Sequence, residues 1–485
     1  MSQIKKNNSF FILMLMIILC FILMGTINIQ ANEISLEEAL AWGTEHNSSI
    51  KEIKINLENI ERSLGLVDTE YGFKTKISAN PIIAGSYEES SNDNSIGIGN
   101  GDNDSGIDIS PKISLRTTKL FPNGLILQSE ISLKEEDWFD LENLSEGPNS
   151  IFSATKTVYP ILPIESEQEK YLASNNLLKA KENLRWQQEN KKIEFLESYF
   201  NLLRLQERLS LAETNFQYAQ DDLKTILKKI EIGEAGERQE IEAKIALKKA
   251  EINLLQAQST FLQQKHRWYL NLNLSEGVEV SFKEDLPFLE ETIKWVESLE
   301  LNLKEQKLME LTVANHYQIK NNQLDQDSAQ KEAEWNSIKN KPQVDLFGAY
   351  SRKDNSWGVG IELSYNISDG GRQKIEDEGY KVKLENLKDD YLQIVSELKL
   401  ELYDLINQQE INNLNLEEKL MSWEKAKLEE ESYRIQLKQG LISDSEFNYQ
   451  VLSWQETEID LKSAKDEILI NRLFLAHFLG FRKGS

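Results

Sequence analysis

The stretch AETNFQYAQDDLKTILKKI, residues 212–230, decides the fold. Its apolar residues Ala212, Phe216, Ala219, Leu223, Ile226 and Ile230 are spaced alternately four and three apart. That spacing is the seam of a coiled coil, and charged and amide side chains take the other faces. Working outward, none of the eight prolines (Pro81, Pro111, Pro122, Pro148, Pro160, Pro163, Pro287, Pro342) falls within 164–286 or 343–485. An interior proline costs a helix about 3 kcal/mol, so these two windows permit very long helices. The first predicts a helix over 164–232, on the order of 100 Å at 1.5 Å per residue. No ordinary globular domain accommodates that length.

Gly233 and Gly236 break this helix, and a second periodic segment, 237–274, turns back against it as an antiparallel hairpin. The same design returns near the end. A helix over 371–438 meets Gly440, Leu441, Ile442 and Ser443, and a partner helix with Ser443 as its N-cap runs to 479. The two halves align as an internal repeat. Tyr159-Pro160-Ile161 matches Tyr365-Asn366-Ile367 at an offset of 206, and Gly233 matches Gly440 at 207. Glu251-Ile252-Asn253-Leu254 matches Glu458-Ile459-Asp460-Leu461 at 207, whereas Phe200 to Leu203 matches Tyr403 to Ile406 at 203. Slips of three and four residues are the size a coiled coil absorbs as stammers and stutters.

The chain therefore reads as two repeats, 32–280 and 281–485. The first holds an opening helix over 35–71, a strand excursion over about 76–159 and the helix hairpin 163–274. The second holds an opening helix over 288–338, a β-hairpin over about 343–365 and the helix hairpin 369–480. Within the second, Trp357, Val359, Ile361, Leu363 and Tyr365 face one way and Gly358, Gly360, Glu362 and Ser364 the other. Aliphatic residues between two aromatic ends, backed by a polar face, suit a transmembrane β-strand with its apolar side toward lipid. An edge strand of a soluble sheet shows the same alternation, so one strand alone leaves both readings open. Its hairpin partner is 344–350. In the first repeat the strand candidates are 77–87, 107–117, 125–133 and 151–159, separated by acidic or Asn/Gly/Ser-rich stretches at 88–106 and 134–150. Whether this repeat contributes two membrane strands or four stays open.

Residues 1–31 read as a secretory signal peptide, with Lys5 and Lys6 ahead of an apolar run from Phe10 to Met24 and Ala31 at the cleavage position. Fifteen apolar residues fall short of the roughly 20 that a spanning helix needs. Cys20 raises the alternative of an acylated N-terminus, against which Leu19 stands where a small residue is wanted. Losing the leader removes the only cysteine and two lysines but no acid, so the net charge moves from −25 to −27. Such acidity argues against nucleic acid and anionic lipid as partners. No later window approaches a second spanning helix, so any membrane crossing falls to strands.

Catalytic constellations are absent. His46, His266, His316 and His477 are scattered, each isolated on a helix, and point to neither metal nor acid–base chemistry. In Asp102-Asn103-Asp104-Ser105-Gly106 the glycine falls one place early for a calcium loop, and Ile113 stands where glutamate would close it. Gly97-Ile98-Gly99-Asn100-Gly101 lacks the lysine and helix start of a phosphate loop. No enzyme, cofactor or metal site is expected.

Several segments are similar to a known family. Ile34-Ser35-Leu36-Glu37-Glu38-Ala39-Leu40 with His46-Asn47 resembles the opening of TolC-like outer membrane efflux proteins, with Ser48 in place of the family's proline. Tyr199-Phe200-Asn201-Leu202-Leu203 with Gln206-Glu207 resembles a characteristic helix of that family, and Ser368-Asp369-Gly370-Gly371-Arg372 its strand-to-helix junction. Their order covers nearly the whole chain after the leader. The resemblance implies a mainly α fold with a β-barrel portion: a long antiparallel coiled-coil α-barrel joined to a transmembrane β-barrel completed by three identical subunits. It implies an outer-membrane channel whose helices extend into the periplasm and which gives passive exit to drugs, small molecules or secreted polypeptides. The partners implied are a periplasmic adaptor and an inner-membrane transporter, in a tripartite efflux or type I secretion system. The adaptor would dock at the hairpin tips, Gly233, Gly236, Gly440, Leu441 and Ser443. The competing expectation is a periplasmic or surface coiled-coil structural protein without a channel, distinguished by extraction as a water-soluble monomer.

Overall fold

The computed structural model describes residues 32–80, 112–134, 148–275, 278–299, 301 and 303–482. The leader with Cys20, the stretch 88–106 with its calcium-like and glycine-rich runs, and most of 134–150 lie outside the described residues. In chain order the elements are β1 (Asn32–Ile34), α1 (Leu36–His46), α2 (Ser48–Thr69), β2 (Phe73–Asn80), β3 (Lys112–Leu120), β4 (Leu125–Lys134) and β5 (Asn149–Tyr159). Next come α3 (Glu165–Glu231), α4 (Glu237–Leu272), β6 (Val278–Val280), α5 (Pro287–Ser298), α6 (Glu305–Asn315) and α7 (Tyr317–Lys339). The chain ends with β7 (Gln343–Ser351), β8 (Ser356–Ser364), α8 (Arg372–Lys438) and α9 (Asp444–Phe478). Helix α3 and helix α8 are both 67 residues long, and their partners α4 and α9 have 36 and 35.

The opening helices differ from the uninterrupted ones that periodicity predicts. The first breaks at Asn47, whose backbone is extended (φ −56°, ψ 141°). There the Asn47 carboxamide oxygen accepts the Ser49 N–H at 3.0 Å and its NH2 donates to the Asn271 carbonyl at 2.7 Å. The side chain thus caps the helix that follows, so the break needs no proline. The second expected helix is three: α5, α6 and α7. Extended backbone at Leu299 and at His316 separates them.

Two compact units emerge. One comprises the described residues of Met1–Lys54, Asn183–His316 and Val395–Ser485. Its core gathers Leu40, Phe195, Tyr199, Leu202, Trp268, Leu272 and Val296, each under 5% exposed. Polar atoms entering it are satisfied: the Trp268 indole N–H donates to the Phe195 carbonyl at 3.0 Å, and the Tyr199 hydroxyl donates to the Lys283 carbonyl at 2.9 Å. In this unit β1 and β6 form a short parallel pair.

The other unit comprises Ile55–Glu182 and Tyr317–Ile394 and contains a six-stranded sheet in the order β2-β3-β4-β5-β7-β8. Every pairing in it is antiparallel. Among the described residues, the first half of the chain thus supplies four strands of this sheet and the second half two. Helices of the unit meet through polar contacts: Lys170 pairs with Asp68 at 2.8 Å, Lys179 with Asp325, and the Asn175 amide donates to Ser328 at 3.0 Å. Tyr71, just before β2, donates to Glu167 at 2.5 Å, tying the strand's start to the first turn of α3.

Candidate functional site

Side chains alternate faces along a strand, so the ladder register assigns every sheet residue to a side. Starting from β8, Trp357, Val359, Ile361 and Leu363 stand opposite Tyr350, Gly348, Leu346 and Val344 on β7. The same face continues through Phe152 and Ala154 on β5, Leu127, Ile131 and Leu133 on β4, Ile113 and Leu115 on β3, and Phe73, Ile77 and Ala79 on β2. The reverse face carries Glu362, Asp345, Thr155, Thr157, Gln128, Glu130, Arg116, Lys74 and Lys76. One side is therefore mainly apolar and the other mainly polar across the six strands, with Lys119, Ser129 and Lys156 falling on the first and Ile126, Ile151 and Phe347 on the second.

The polar side is internally paired. Arg116 donates to Glu130 across β3 and β4 at 2.8 Å, and the Thr157 hydroxyl donates to Asp345 across β5 and β7 at 2.6 Å. Phe347 is the aromatic exception on this side. It lies over Gly360, where a Cβ would come within 2.4 Å of the ring, so the glycine makes room for it. On the apolar side the β8 residues are bare: Ile361 is 70% and Trp357 76% exposed. Tyr365, assigned to this strand from its alternation, sits one residue past its end.

The other residues singled out by sequence lie at the two hairpin tips, which share one backbone solution. Gly233 and Gly440 adopt φ +79° and +69°. Glu234 N–H reaches back to the Lys229 carbonyl at 2.8 Å, and Leu441 N–H to the Gln436 carbonyl at 2.9 Å. This is the helix-ending motif in which a left-handed glycine lets the next residue satisfy an orphan carbonyl. The starts of the returning helices differ. Ser443 caps α9 reciprocally with Glu446, at 3.2 and 2.8 Å, and those hydrogen bonds hold the Glu446 carboxyl below its usual range. Gly236 has no side chain to offer, and its N–H donates to Gln239 at 2.9 Å instead. Each tip leaves one aliphatic residue in solvent, Ile232 and Leu441, both 69% exposed. Sequence reasoning chose Leu441 and passed over Ile232, although both flank the turning glycine.

A buried charge cluster was missed altogether. Arg204, 7% exposed, donates to Asp466 at 2.7 Å, to Glu207 at 2.9 Å and to Glu284, while Lys462 donates to Glu207 at 2.7 Å. Burial raises the Asp466 carboxyl to about 6 in spite of Arg204. No local pattern signals this cluster, because its members come from α3, α9 and the segment before α5. His316 and His477 are also not isolated. Both rings lie against Trp186, with centroids 4.4 and 4.1 Å away. Burial, and secondarily Arg482, lowers His477 to about 4, so it is neutral near pH 7.

Among the described residues no helix is long and apolar enough to cross a membrane, and no group of three or more His, Cys, Asp or Glu side chains could hold a metal ion. No family model and no curated protein sequence matches the chain. Its fold, however, is that of outer-membrane channels. The Campylobacter jejuni CmeC outer membrane channel superposes with a TM-score of 0.60 at 11% identity, over 93% of this chain and 87% of that one. The outer membrane protein VceC of Vibrio cholerae gives 0.58 at 11%, over 92% and 96%. The Neisseria gonorrhoeae MtrE outer membrane channel, in its open state, gives 0.56 at 13%, over 94% and 93%.

Proposed function

We propose that this chain is one subunit of an outer-membrane channel, a homotrimer in which the sheets of three copies close a barrel through lipid while the long helices reach into the periplasm. The observation that carries this reading is the sheet: among the described residues, six strands, mainly apolar on one face and mainly polar on the other, with two open edges. Lipid cannot hydrogen-bond an open edge, so a sheet with a lipid-facing side must be closed, and six strands are fewer than the eight of the smallest known spanning barrels. The likeness in fold to CmeC, VceC and MtrE supports the same reading. Trp357, Val359, Ile361 and Leu363 then face lipid, and Glu362 with its face-mates lines the lumen.

The channel conducts passively. Cargo in the classes of drugs, small toxic molecules or secreted polypeptides is delivered by an inner-membrane transporter through a periplasmic adaptor, as in tripartite efflux or type I secretion. The tips around Gly233, Gly236, Gly440, Leu441 and Ser443 are the adaptor's docking points, where Ile232 and Leu441 offer apolar contacts. The equal lengths of α3 and α8 support a duplicated architecture behind the two tips. Extraction of the full-length protein from membranes with detergent, followed by addition to planar bilayers, tests the reading. Discrete conductance steps are expected, and recovery as a water-soluble monomer that leaves the bilayer silent would overturn it.

A further inference from the structure

The two edge strands of the sheet, β2 and β8, leave more apolar surface bare than the strands between them. Phe73 and Ile77 are 76% and 73% exposed and Val359 is 76%, against 41% for Leu127 and 49% for Phe152 on the same face. Among the described residues no strand pairs with the outer side of β2 or β8, so each edge presents a row of backbone groups without a ladder partner. Strand number and direction decide what fits there. Six strands, each antiparallel to the next, leave β2 and β8 running in opposite directions. A second copy can therefore bring its β2 against this β8 and continue the antiparallel alternation without a break, keeping the apolar face on one side.

Register decides the height at which they meet. The ladder row that starts at Lys76 passes through Arg116, Glu130, Ile151 and Ser351 and ends on Ser356, beside the turn between β7 and β8. Helix α2 runs into β2 and β8 runs into α8, so copies standing at equal height about an axis bring the helix end of β8, not its turn, to the helix end of β2. Only even staggers keep the faces matched. A stagger of six residues, from Ser356 to Glu362, amounts to one residue per strand. At about 3.3 Å per residue and about 4.8 Å between strands it tilts the wall by about 35°, a typical value for closed barrels. A stagger of four flattens the tilt to about 25°, below that range. One of eight sets Lys76 against Ser364 and Glu362 against Ser78, whereas six sets the Lys76 ammonium against the Glu362 carboxylate on the polar face.

We propose that β8 of each copy pairs with β2 of the next, with Lys76 opposite Glu362 of the partner subunit, so that three copies of the six-stranded sheet close an eighteen-stranded barrel. The count of three rests on the channel reading above; the seam and its register rest on the ladder. A wall of that size is roughly 35 Å across between backbones, in the class that holds an open aqueous lumen. Selection of cargo by size then falls to the helices, not to the sheet.

The test is a pair of cysteines in the full-length chain, in a Cys20→Ser background. Lys76→Cys with Glu362→Cys is expected to give, on oxidation, covalent trimers on a non-reducing denaturing gel. Lys76→Cys with Gly358→Cys, on the same face but four residues away, is expected to give none. Electron cryo-microscopy of the detergent-extracted unsubstituted protein is expected to show eighteen strands. Cross-linking at Gly358 but not at Glu362, or a barrel of any other strand number, overturns the proposal and leaves a conducting channel standing. Absence of any closed assembly overturns the channel reading with it.

Discussion

Arg204 is where a single side chain carries the most. It neutralises three carboxylates at once from a nearly sealed position, and removing one partner of a buried ionic cluster leaves the others facing each other. Arg204→Met is expected to destabilise the protein by about 3–5 kcal/mol, read from urea unfolding of the extracted protein. Unchanged unfolding would mean the cluster is idle. Nearby titrations oppose each other. Asp466, raised to about 6, is protonated more readily folded than unfolded, so its contribution is present below its unfolded pKa and lost as pH rises through 6. His477, lowered to about 4, behaves inversely: its contribution is full above 6.5 and lost as pH falls toward 4. Between pH 4 and 6, Asp466→Asn should therefore make the melting temperature climb more steeply with pH than in the parent. His477→Gln should make it climb less steeply, and parallel curves for all three proteins would contradict both assignments.

Among the elements, the long helices were legible and the sheet only partly so. Helix α3 begins and ends within one residue of the proline-free seam that predicts it, because a heptad seam and the absence of a breaker are local properties. The break at Asn47 was hidden, since what caps the next helix is a carboxamide that looks like any other asparagine. Strand β2 starts at Phe73, four residues before the expected Ile77, because Thr75 interrupts the apolar half of the alternation that Lys74 and Lys76 mark on the other face. The four strands of the first half are each visible as a candidate, but whether two or all four join one sheet is not legible in the sequence. It depends on β5 pairing with β7, as in Phe152 with Tyr350, and a contact that distant leaves no trace in either segment alone. The face assignment has its own check. Ile361→Arg, aimed at lipid, should cost about 2–4 kcal/mol and reduce the yield of detergent-stable assembly. Gln128→Glu, on the polar face of an inner strand and away from the proposed seam, should leave that yield close to the parent's, and equal losses would count against the assignment. At the tips, Gly440→Ala places a Cβ on a left-handed backbone and should cost about 1–2 kcal/mol in thermal stability without altering assembly.

For the whole molecule, the helices state the same need for company as the sheet edges. Helix α8 leaves Leu400, Leu414, Met421, Leu428 and Ile435 in solvent, and α4 leaves Ile241, Ile252, Leu255 and Leu262, at largely heptad spacing. A seam exposed over that length is stable only against neighbouring helices. Leu414→Glu with Leu428→Glu is accordingly expected to yield monomers by native mass spectrometry, and persistence of the parent's assembly would show that this seam is not an interface. A consequence of another kind follows from the turn between β3 and β4. Phe121 to Gly124 close that turn at the rim where Lys119 reaches the Tyr71 carbonyl, beside the helices. The chain leaves β2 at Asn80 and β4 at Lys134 on the opposite rim, where Arg352 to Asn355 also turn. If the proposed channel stands in the outer membrane with its helices in the periplasm, the strand ends at Asn80 and Lys134 lead into both long acidic stretches on the side that antibodies, phages and proteases meet first. A peptide tag inserted between 88 and 106 should be stained on intact cells, and the same tag at 122–124 only after the envelope is opened.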